Sequence, residues 1–330
     1  MRAALYEPSE PGIRVTEIED PVPGPGQLLV RVRAAGLNRA DLLARRAAPS
    51  TPGGAGRGTQ SAIAGSEAAG EVVGVGPGVE GWAPGDRVMG RCRGYAELAT
   101  IDADVAMPVP AAMGWEEAGA LPVAVMTMHD ALRTNGGLAP GGTVLINAAT
   151  SGVGVVGIRA ASLLGASTVF ATSRSSEKLD LVREFVEPLG SSLVTIDTSD
   201  EDVATRVLEA TEGRGVDVVV DNVGGTVLAT NLAVCAITGR IVQVGRLGGR
   251  NDTIDLDELA RKRIGLIGVT FRTRTAAEVA DVVRRCMEDL GSRLMDCRPR
   301  IDRVFPLSEA RVAQDALARN QHVGKIVLVP

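Results

Sequence analysis

Two hydrophobic patterns divide the chain. Up to about residue 120, short apolar runs such as 28–32 and 70–75 are separated by Pro-Gly turns. Closely spaced short strands with such turns are typical of a compact β-barrel. From about 120 to 265, apolar strands alternate with segments of helical spacing. This alternation predicts an α/β domain, with a parallel sheet covered by helices on both faces.

The alternating region contains six predicted strands, at 143–148, 167–172, 192–196, 216–221, 239–244 and 264–269. Helices lie between them, for example at 152–164 and 176–187. Because such crossovers are right-handed, a six-stranded doubly wound sheet is the expected topology.

The tail after residue 270 follows a third pattern. It predicts a helix over 276–290, a strand near 300–305, a helix over 308–319 and a closing strand over 324–329. The closing strand is expected to return to the first domain. The predicted domains are therefore a catalytic domain at 1–120, a nucleotide-binding domain at 121–269 and a return segment at 270–330, with a surface loop at 49–58.

A glycine turn follows the first strand of the alternating region. Gly152, Gly154 and Gly157 have the spacing of a dinucleotide-binding fingerprint, and a helical segment follows them. Gly152 is expected to permit the tight turn, Gly154 to let the backbone approach a pyrophosphate, and Gly157 to allow close contact between helix and strand. The helix start would present N–H groups and its positive dipole end to the phosphates.

The end of the second strand indicates which dinucleotide binds. An acidic residue there would bind a ribose 2′-hydroxyl and favour NAD, but this chain has Arg174 and Lys178 among serines. A 2′-phosphate is recognised by charge-assisted donors, so NADPH is the predicted cofactor. The alternative is a serine-rich helix cap with ordinary surface cations.

Composition narrows the class of protein. Hydrophobic residues make up 45% and charged residues 23% of the 330 positions, as in globular proteins generally. The net charge of −5, with scattered Lys and Arg, argues against nucleic-acid binding. No apolar run is long enough to span a bilayer. Because residues 1–6 read as a strand, no signal peptide is expected, and a cytoplasmic location is predicted.

Cysteine and histidine usage argues against a metal site. The four cysteines include no C-x-x-C pair, and His129 and His322 are the two histidines. A site built from these ligands would need nearly all of them, from unrelated segments. Small buried thiols in a reducing compartment are the expected alternative.

Several motifs together identify a family resemblance. They are Ala34–Leu43 (AAGLNRADLL), Gly65–Val72 (GSEAAGEV), Gly85–Val88 (GDRV), Gly94–Glu97 (GYAE), Asp221–Gly225 (DNVGG) and Gly324–Leu328 (GKIVL). In these stretches the chain resembles zinc-independent, ζ-crystallin-like quinone oxidoreductases of the medium-chain dehydrogenase/reductase superfamily.

The resemblance implies a GroES-like barrel plus a Rossmann domain. It also implies NADPH-dependent reduction of a small-molecule quinone or α,β-unsaturated carbonyl, and dimerisation through the Rossmann domains. Zinc alcohol dehydrogenases are similar but carry a His where this chain has Ser66. Without a Lewis acid, a conjugated acceptor is the more plausible substrate, because conjugation spreads the developing charge.

The resemblance assigns roles to particular residues, each with a structural alternative. Asn38 would donate from its amide to a carbonyl oxygen, or cap a helix. Arg45 would lie near the active-site mouth, or pair with Asp41 four residues earlier. Thr127 would hold the nicotinamide carboxamide, or bond back along its helix. His129, a tempting acid, is expected to be a satisfied helical histidine.

The remaining predicted cofactor contacts lie on the turns after the strands and in the tail. They are Ala149, Ser151, Gly152, Val153, Gly154, Ser173, Arg174, Lys178, Asn222, Gly245, Arg246, Thr270, Phe271 and Asn320, besides Asn38 and Thr127. Phe271 is expected to wall the pocket, with an interdomain hinge as the alternative.

Two departures from the family pattern leave other functions open. Leu43 stands where some relatives carry a Tyr, and residues 47–52 replace the usual Gly-x-Tyr-Pro stretch. Protonation is therefore expected from water. The alternatives are a pathway-specific enoyl reductase, acting on a thioester or natural-product intermediate, and a non-catalytic NADPH-binding protein.

Overall fold

The computed structural model describes residues 1–7, 12–46, 63–186 and 190–330. The predicted loop at 49–58 lies outside the described residues. The chain divides into two compact units: the first comprises Met1–Val123 and Arg298–Pro330, and the second Ala124–Cys297.

In chain order, the strands are β1 Arg2–Glu7, β2 Gly12–Glu17, β3 Gln27–Gly36, β4 Ala68–Val75, β5 Arg87–Gly90, β6 Leu98–Asp102, β7 Ala106–Pro108, β8 Thr143–Ile146, β9 Thr168–Ser173, β10 Ser192–Asp197, β11 Val216–Asp221, β12 Cys235–Gln243, β13 Gly265–Gly268, β14 Ile301–Pro306 and β15 Lys325–Val329.

The helices follow in the same order: α1 Arg39–Arg46, α2 Trp115–Gly119, α3 Pro122–His129, α4 Gly152–Leu163, α5 Ser176–Val186, α6 Val203–Ala210, α7 Leu228–Val234, α8 Leu256–Arg261, α9 Ala276–Leu290 and α10 Ala310–Ala318. A π-helical turn, Asp130–Asn135, continues α3. Short 3₁₀ segments cover Ala103–Val105, Gly291–Cys297 and Leu307–Glu309. None of the helices in the described part of the chain is long and apolar enough to cross a membrane.

The first unit is built on a mixed sheet in the order β14-β15-β3-β4-β5-β7. Strand β6 also pairs with β3, on the side opposite β4. The closing strand β15 pairs antiparallel with β3, which confirms that the chain end returns to the first unit. Alternation along β3 buries Leu28, Val30 and Val32 and leaves Leu29 and Arg31 less buried, as expected for a sheet with one face on a core.

The second unit contains a six-stranded sheet in the order β10-β9-β8-β11-β12-β13. Every neighbouring pair is parallel, which confirms the predicted doubly wound topology. The four residues of β8 are all buried, because helices cover both faces of a central parallel strand.

The second unit extends further along the chain than predicted. The expected boundary was 269, but α9 and the following 3₁₀ segment belong to the second unit, which ends at Cys297. Val279, Val282 and Cys286 share one face of α9 and are buried. An amphipathic pattern shows that a helix buries one face, but it does not show which domain covers that face.

Candidate active site

The carboxyl ends of the parallel strands form one edge of the sheet in the second unit, where ligands bind in such folds. Here β8 leads into α4, whose N-cap is Ser151: its Oγ accepts a hydrogen bond from the Gly154 N–H at 3.1 Å. Ser151, Gly152 and Val153 are half-buried. The first turn of a helix carries N–H groups without partners inside the helix, so this turn suits an anion.

Two fingerprint glycines lie at close packing contacts. A Cβ on Gly154 would lie 2.6 Å from the carbonyl oxygens of Ala148 and Ala149, so only glycine lets α4 begin this close to the turn. A Cβ on Gly157 would lie 2.9 Å from Met128 Sδ. Ile146 Cδ1 on β8 would lie 3.3 Å from the same Cβ, so Gly157 contacts a helix more closely than a strand, and the structure gives Gly154 the stricter packing role.

The tight turn is not made by Gly152, and that prediction was wrong. The residue in the left-handed region is Ala148, with φ 52°, whereas Gly152 is already the first residue of α4. The chain turns before the helix begins. The left-handed backbone conformation is strained at a residue that carries a Cβ, and strained residues are often found at functional sites.

The end of β9 carries the predicted phosphate-binding cations. Ser173 Oγ lies 3.3 Å from Thr150 Oγ1. Ser175 Oγ accepts from the Lys178 N–H at 3.3 Å, so a serine cap does start α5. Arg174 is exposed, and Lys178 is half-buried. A cap and two cations therefore occupy the same strand end, and recognition of a 2′-phosphate by these cations stays a prediction.

The end of β11 holds a buried amide network. Asn222 donates from Nδ2 to the Asn147 carbonyl at 3.0 Å, and Asn147 donates from Nδ2 to Asn231 Oδ1 at 2.8 Å. Asn222 Oδ1 is buried without a hydrogen-bond partner among the described residues. An unsatisfied buried acceptor is costly, so this atom is suited to a donor on a bound ligand.

Asp221 shapes the neighbouring turns. Its Oδ1 accepts from the Val223 and Gly224 N–H groups at 2.8 and 2.9 Å, and burial raises the pKa of this carboxyl. Gly245 packs against the turn after β11: a Cβ there would lie 2.0 Å from the Asn222 carbonyl oxygen. Arg246, next to it, is exposed.

Thr270 and Phe271 follow β13 and are half-buried. The Arg274 guanidinium lies 4.7 Å from the centre of the Phe271 ring and pairs with buried Asp130 at 2.6 Å, so this turn is tied to the π-helical segment of the same unit.

Thr127 is buried on α3. His129 is also buried, and its Nε2 lies 2.7 Å from Asp289 Oδ2. Its Nδ1 is buried without a hydrogen-bond partner among the described residues, so the expected satisfied histidine is observed at one ring nitrogen and not at the other.

A buried polar network surrounds Asn38 in the first unit. Lys325 Nζ donates to Asn38 Oδ1 at 2.8 Å and to Glu67 Oε1 at 2.7 Å. Asn38 Nδ2 in turn lies 2.8 Å from Glu67 Oε1 and 3.1 Å from Ser66 Oγ. Glu67 Oε2 accepts from the Val123 N–H at 2.7 Å. Lys325 is 3% exposed and Glu67 0%, so this ion pair is fully desolvated.

This network revises both interpretations of Asn38. Its two amide hydrogens already have acceptors in Glu67 and Ser66, so none is left for a substrate oxygen. The side chain does not cap α1 either. Instead, Asp41 Oδ2 accepts from the Asn38 N–H at 2.8 Å, which secures the start of the helix.

The alternative interpretation of Arg45, a pair with Asp41, is wrong. Asp41 is buried and accepts from the Tyr95 hydroxyl at 2.8 Å, whereas Arg45 Nη1 pairs with Asp315 on α10 at 2.8 Å. Helical spacing allows the predicted pair, but the two side chains point to different tertiary neighbours. Asn320 follows α10 with φ 59° and is exposed.

Asp41 makes the stability of the first unit depend on pH. Burial raises its pKa from 3.8 to about 6, and hydrogen bonds from Asn38 and Tyr95 oppose the shift. The folded chain therefore keeps this proton at a pH where the unfolded chain has lost it, and stability falls as pH rises from about 4 to about 6. Asp41→Asn keeps the acceptor oxygen and removes the titration. We expect its free energy of unfolding, relative to wild type, to rise by ~3 kcal/mol over this window.

Tryptophan fluorescence measures this effect selectively, because both tryptophans, Trp82 and Trp115, lie in the first unit. Denaturant unfolding at pH 4, 5, 6 and 7 gives the comparison. Asp104→Asn, at an exposed position of the same unit, is the matched control. Parallel pH profiles for wild type and Asp41→Asn would contradict the prediction.

Ser66, Glu67 and Lys325 were not assigned a role from the sequence, although they stand inside two of the motifs that carry the resemblance. One signal was available: a lysine at the start of the apolar run 325–329 is unusual in a buried strand and implies a buried acid as partner. Which acid it meets depends on the pairing of β15 with β3. No group of three or more Cys, His, Asp or Glu that could hold a metal ion forms within the ranges that the structure describes.

Together, the parallel sheet with its glycine turn and the mixed β-sheet unit define a two-domain, dinucleotide-dependent dehydrogenase or reductase architecture. Two family models match the chain: "Alcohol dehydrogenase GroES-like domain" over residues 24–120 and "Zinc-binding dehydrogenase" over residues 152–288.

Similar proteins support the same class. A quinone oxidoreductase of Pseudomonas aeruginosa is 34% identical over 93% of this chain and 92% of its own length. Erythronolide synthase EryA2 of Saccharopolyspora erythraea is 33% identical over 94% of this chain, which corresponds to 8% of the synthase. A mycobacterial protein solved in complex with NADPH is 30% identical, with a TM-score of 0.81 and full coverage of both chains. The chain belongs to the zinc-independent quinone oxidoreductase branch of the medium-chain dehydrogenase/reductase superfamily.

Proposed function

We propose that this protein is an NADPH-dependent reductase that transfers hydride to a quinone or an α,β-unsaturated carbonyl compound. The observation that carries the proposal is the carboxyl edge of the second unit's sheet, where a capped helix start and a cationic strand end lie on adjacent strands. The Pseudomonas relative named as a quinone oxidoreductase and the NADPH-bound mycobacterial structure support it.

The residues of this edge fit a dinucleotide phosphate. The α4 start, with Ser151, Gly152 and Val153, suits the pyrophosphate, because helix N–H groups and dipole favour negative charge. The planar guanidinium of Arg174 and the ammonium group of Lys178 supply positive charge and hydrogen-bond donors for the 2′-phosphate. Asn222 Oδ1 is a buried acceptor suited to a ligand donor.

The other predicted contacts complete the proposed cofactor site. They are Thr127, Ala149, Gly154, Ser173, Gly245, Arg246, Thr270 and Phe271, all in the second unit. When bound, NADPH supplies a hydride. The part of this chain in the reaction is to orient the two reactants and to place donors where negative charge develops on the acceptor's oxygen.

The experiment that tests the proposal compares NADPH and NADH oxidation with 1,2-naphthoquinone, 1,4-benzoquinone, a simple enone and crotonyl-CoA, in the presence of EDTA. We expect NADPH-selective turnover of a quinone or enone. NADH preference would contradict the roles of Arg174 and Lys178. Tight NADPH binding without turnover would favour a non-catalytic binding protein.

A second candidate is a dedicated enoyl reductase acting on a thioester. The similarity to a segment of the polyketide synthase EryA2 favours it. In the same assay, turnover of crotonyl-CoA that greatly exceeds turnover of free quinones would select this alternative.

We further propose that the chain forms a homodimer through the second unit. In the described ranges, β13 is one of the two edge strands of the sheet and pairs with β12 alone. Leu266 on this strand is 42% exposed, and an uncovered edge strand with an apolar side chain readily pairs with another copy. The mass of the purified chain by light scattering tests this assembly.

A further inference from the structure

The end of β10 lies directly beside the strand end that carries the predicted phosphate-binding cations. Asp197, the last residue of β10, is paired in register with Ser173, the last residue of β9. The Thr198 N–H donates to the Ser173 carbonyl at 2.8 Å. The turn from β9 into α5, which contains Arg174, therefore starts against the end of β10, and both belong to the second unit.

The Asp197 carboxylate joins these two turns. Asp197 is 9% exposed, and its Oδ1 accepts from the Ser199 N–H at 3.0 Å and from the Ser199 hydroxyl at 2.7 Å. These hydrogen bonds lower the pKa of Asp197, and hydrogen bonds from the backbone and the hydroxyl of Ser176 lower it further. Ser176 is the first residue of α5. Asp197 is thus ionised at neutral pH and holds the start of α5 against the turn after β10.

The start of α5 differs in its charge from the start of α4. The first turn of α4 contains no acidic residue. At α5, by contrast, the Asp197 carboxylate lies at the N-terminal end of the helix, and Ser175 Oγ accepts from the Lys178 N–H at 3.3 Å. Because a negative charge of the protein already occupies the positive end of the α5 dipole, a 2′-phosphate gains little from that dipole. Its binding then depends on where the turn places the Arg174 and Lys178 side chains.

We infer that Asp197 is a positioning residue for the 2′-phosphate of NADPH, because it fixes the turn between β9 and α5 and thereby places Arg174 and Lys178. The inference rests on the NADPH site of the proposed function, and it requires no particular acceptor. Asp197 does not bind the phosphate itself, since two negative charges repel each other. Its charge weakens NADPH binding and its hydrogen bonds strengthen it. Solvent screens the repulsion at this edge, where Arg174 is exposed, so the positioning effect is the larger one.

Asp197→Asn tests this role. The amide oxygen can still accept from Ser199, but the amide nitrogen is a donor and cannot accept from Ser176. We expect the KM for NADPH to rise about tenfold, a loss of the size known for removing the support of a metal ligand, while kcat and the KM for NADH stay within about twofold. Calorimetric titration with adenosine 2′,5′-bisphosphate, which carries the same phosphate and no nicotinamide, should show the same rise in Kd.

Asp202→Asn is the matched control. Asp202 Oδ1 accepts from the Thr205 N–H at 2.7 Å and caps α6, and hydrogen bonds from Thr205 lower the pKa of Asp202. The control therefore removes one carboxylate from a helix start of the same unit, but α6 carries none of the residues proposed to bind the cofactor. Asp202→Asn should bind NADPH and NADH as wild type does. Circular dichroism checks the folding of the second unit in both variants, since both tryptophans lie in the first unit.

A double-mutant cycle shows whether Asp197 acts through Arg174. In a chain that carries Arg174→Ala, we expect Asp197→Asn to raise the Kd of NADPH by less than about threefold, since residues that act through one another are not additive. The same loss in both backgrounds would overturn the positioning of Arg174.

Three other results would overturn the inference and leave the proposed function in place. They are tighter NADPH binding by Asp197→Asn, unchanged NADPH binding, and equal losses of NADPH and NADH binding, which would indicate a general structural role. A wild-type chain that binds NADPH and NADH equally would instead contradict the NADPH site, and with it the cofactor of the proposed function.

Discussion

Replacing Lys325 by Met is expected to destabilise the first unit by about 3–5 kcal/mol. The substitution leaves the Glu67 carboxylate buried without its cation, and the cost of an uncompensated buried charge is of this size. Lys325 Nζ lies 2.7 Å from Glu67 Oε1, and both side chains are almost wholly inaccessible. The Asn38 carbonyl oxygen loses its donor at the same time.

An exposed ion pair of the same geometry provides the control for Lys325→Met. Arg33 Nη2 lies 2.8 Å from Glu71 Oε2, but the two side chains are 42% and 36% exposed. Arg33→Met should therefore cost less than about 1 kcal/mol. Denaturant unfolding followed by tryptophan fluorescence measures both.

The double variant Lys325→Met with Glu67→Gln shows how much of the lost stability comes from the unpaired charge of Glu67. Because it removes the buried carboxylate together with the cation, it should recover a large part of the loss. A single Lys325→Met variant as stable as Arg33→Met would contradict the buried pair.

The strands of the second unit were predictable because each is a short apolar run bounded by turn residues. The run predicted at 167–172 is observed as Thr168–Ser173, and that predicted at 264–269 as Gly265–Gly268. Because a parallel sheet is buried on both faces, its strands need such apolar runs, and the runs can therefore be recognised in the sequence.

The side-chain partners were not predictable in the same way. The structural alternative for Arg45 was a pair with Asp41, four residues back, but Arg45 pairs with Asp315, 270 residues away in sequence. Asn38 meets Lys325 across 287 residues. Local spacing determines which partners a helix permits, while the choice among them follows from strand pairing that brings the chain end beside β3.

The sequence interpretation of Asn38 was limited for the same reason. Its residue type suits both an oxyanion donor and a helix cap, and the motif around it implied a role in the site. Only the observed acceptors, Glu67 and Ser66, show that its hydrogens are already used. A site can therefore be located from a motif while the roles within it still require three-dimensional contacts.

Replacing Arg174 by Glu is expected to reverse the preference for NADPH over NADH. Arg174 stands at the end of β9, where a carboxylate would accept a hydrogen bond from a ribose 2′-hydroxyl and repel a 2′-phosphate. A hydrogen bond to a charged group contributes about 2 kcal/mol. Losing one with NADPH and gaining one with NADH should change the ratio of kcat/KM values by about 1000-fold.

Arg183→Glu is the matched control for this change. Arg183 lies on the same helix as Lys178 and pairs with Asp180 at 2.7 Å, so its reversal alters the net charge by the same amount. If general electrostatic attraction draws NADPH to this face, both variants should lose NADPH preference equally. If Arg174 binds the 2′-phosphate directly, only Arg174→Glu should change the ratio, and the loss should appear in KM for NADPH and not in kcat. An Arg174→Glu enzyme that still prefers NADPH would show that another group recognises the 2′-phosphate.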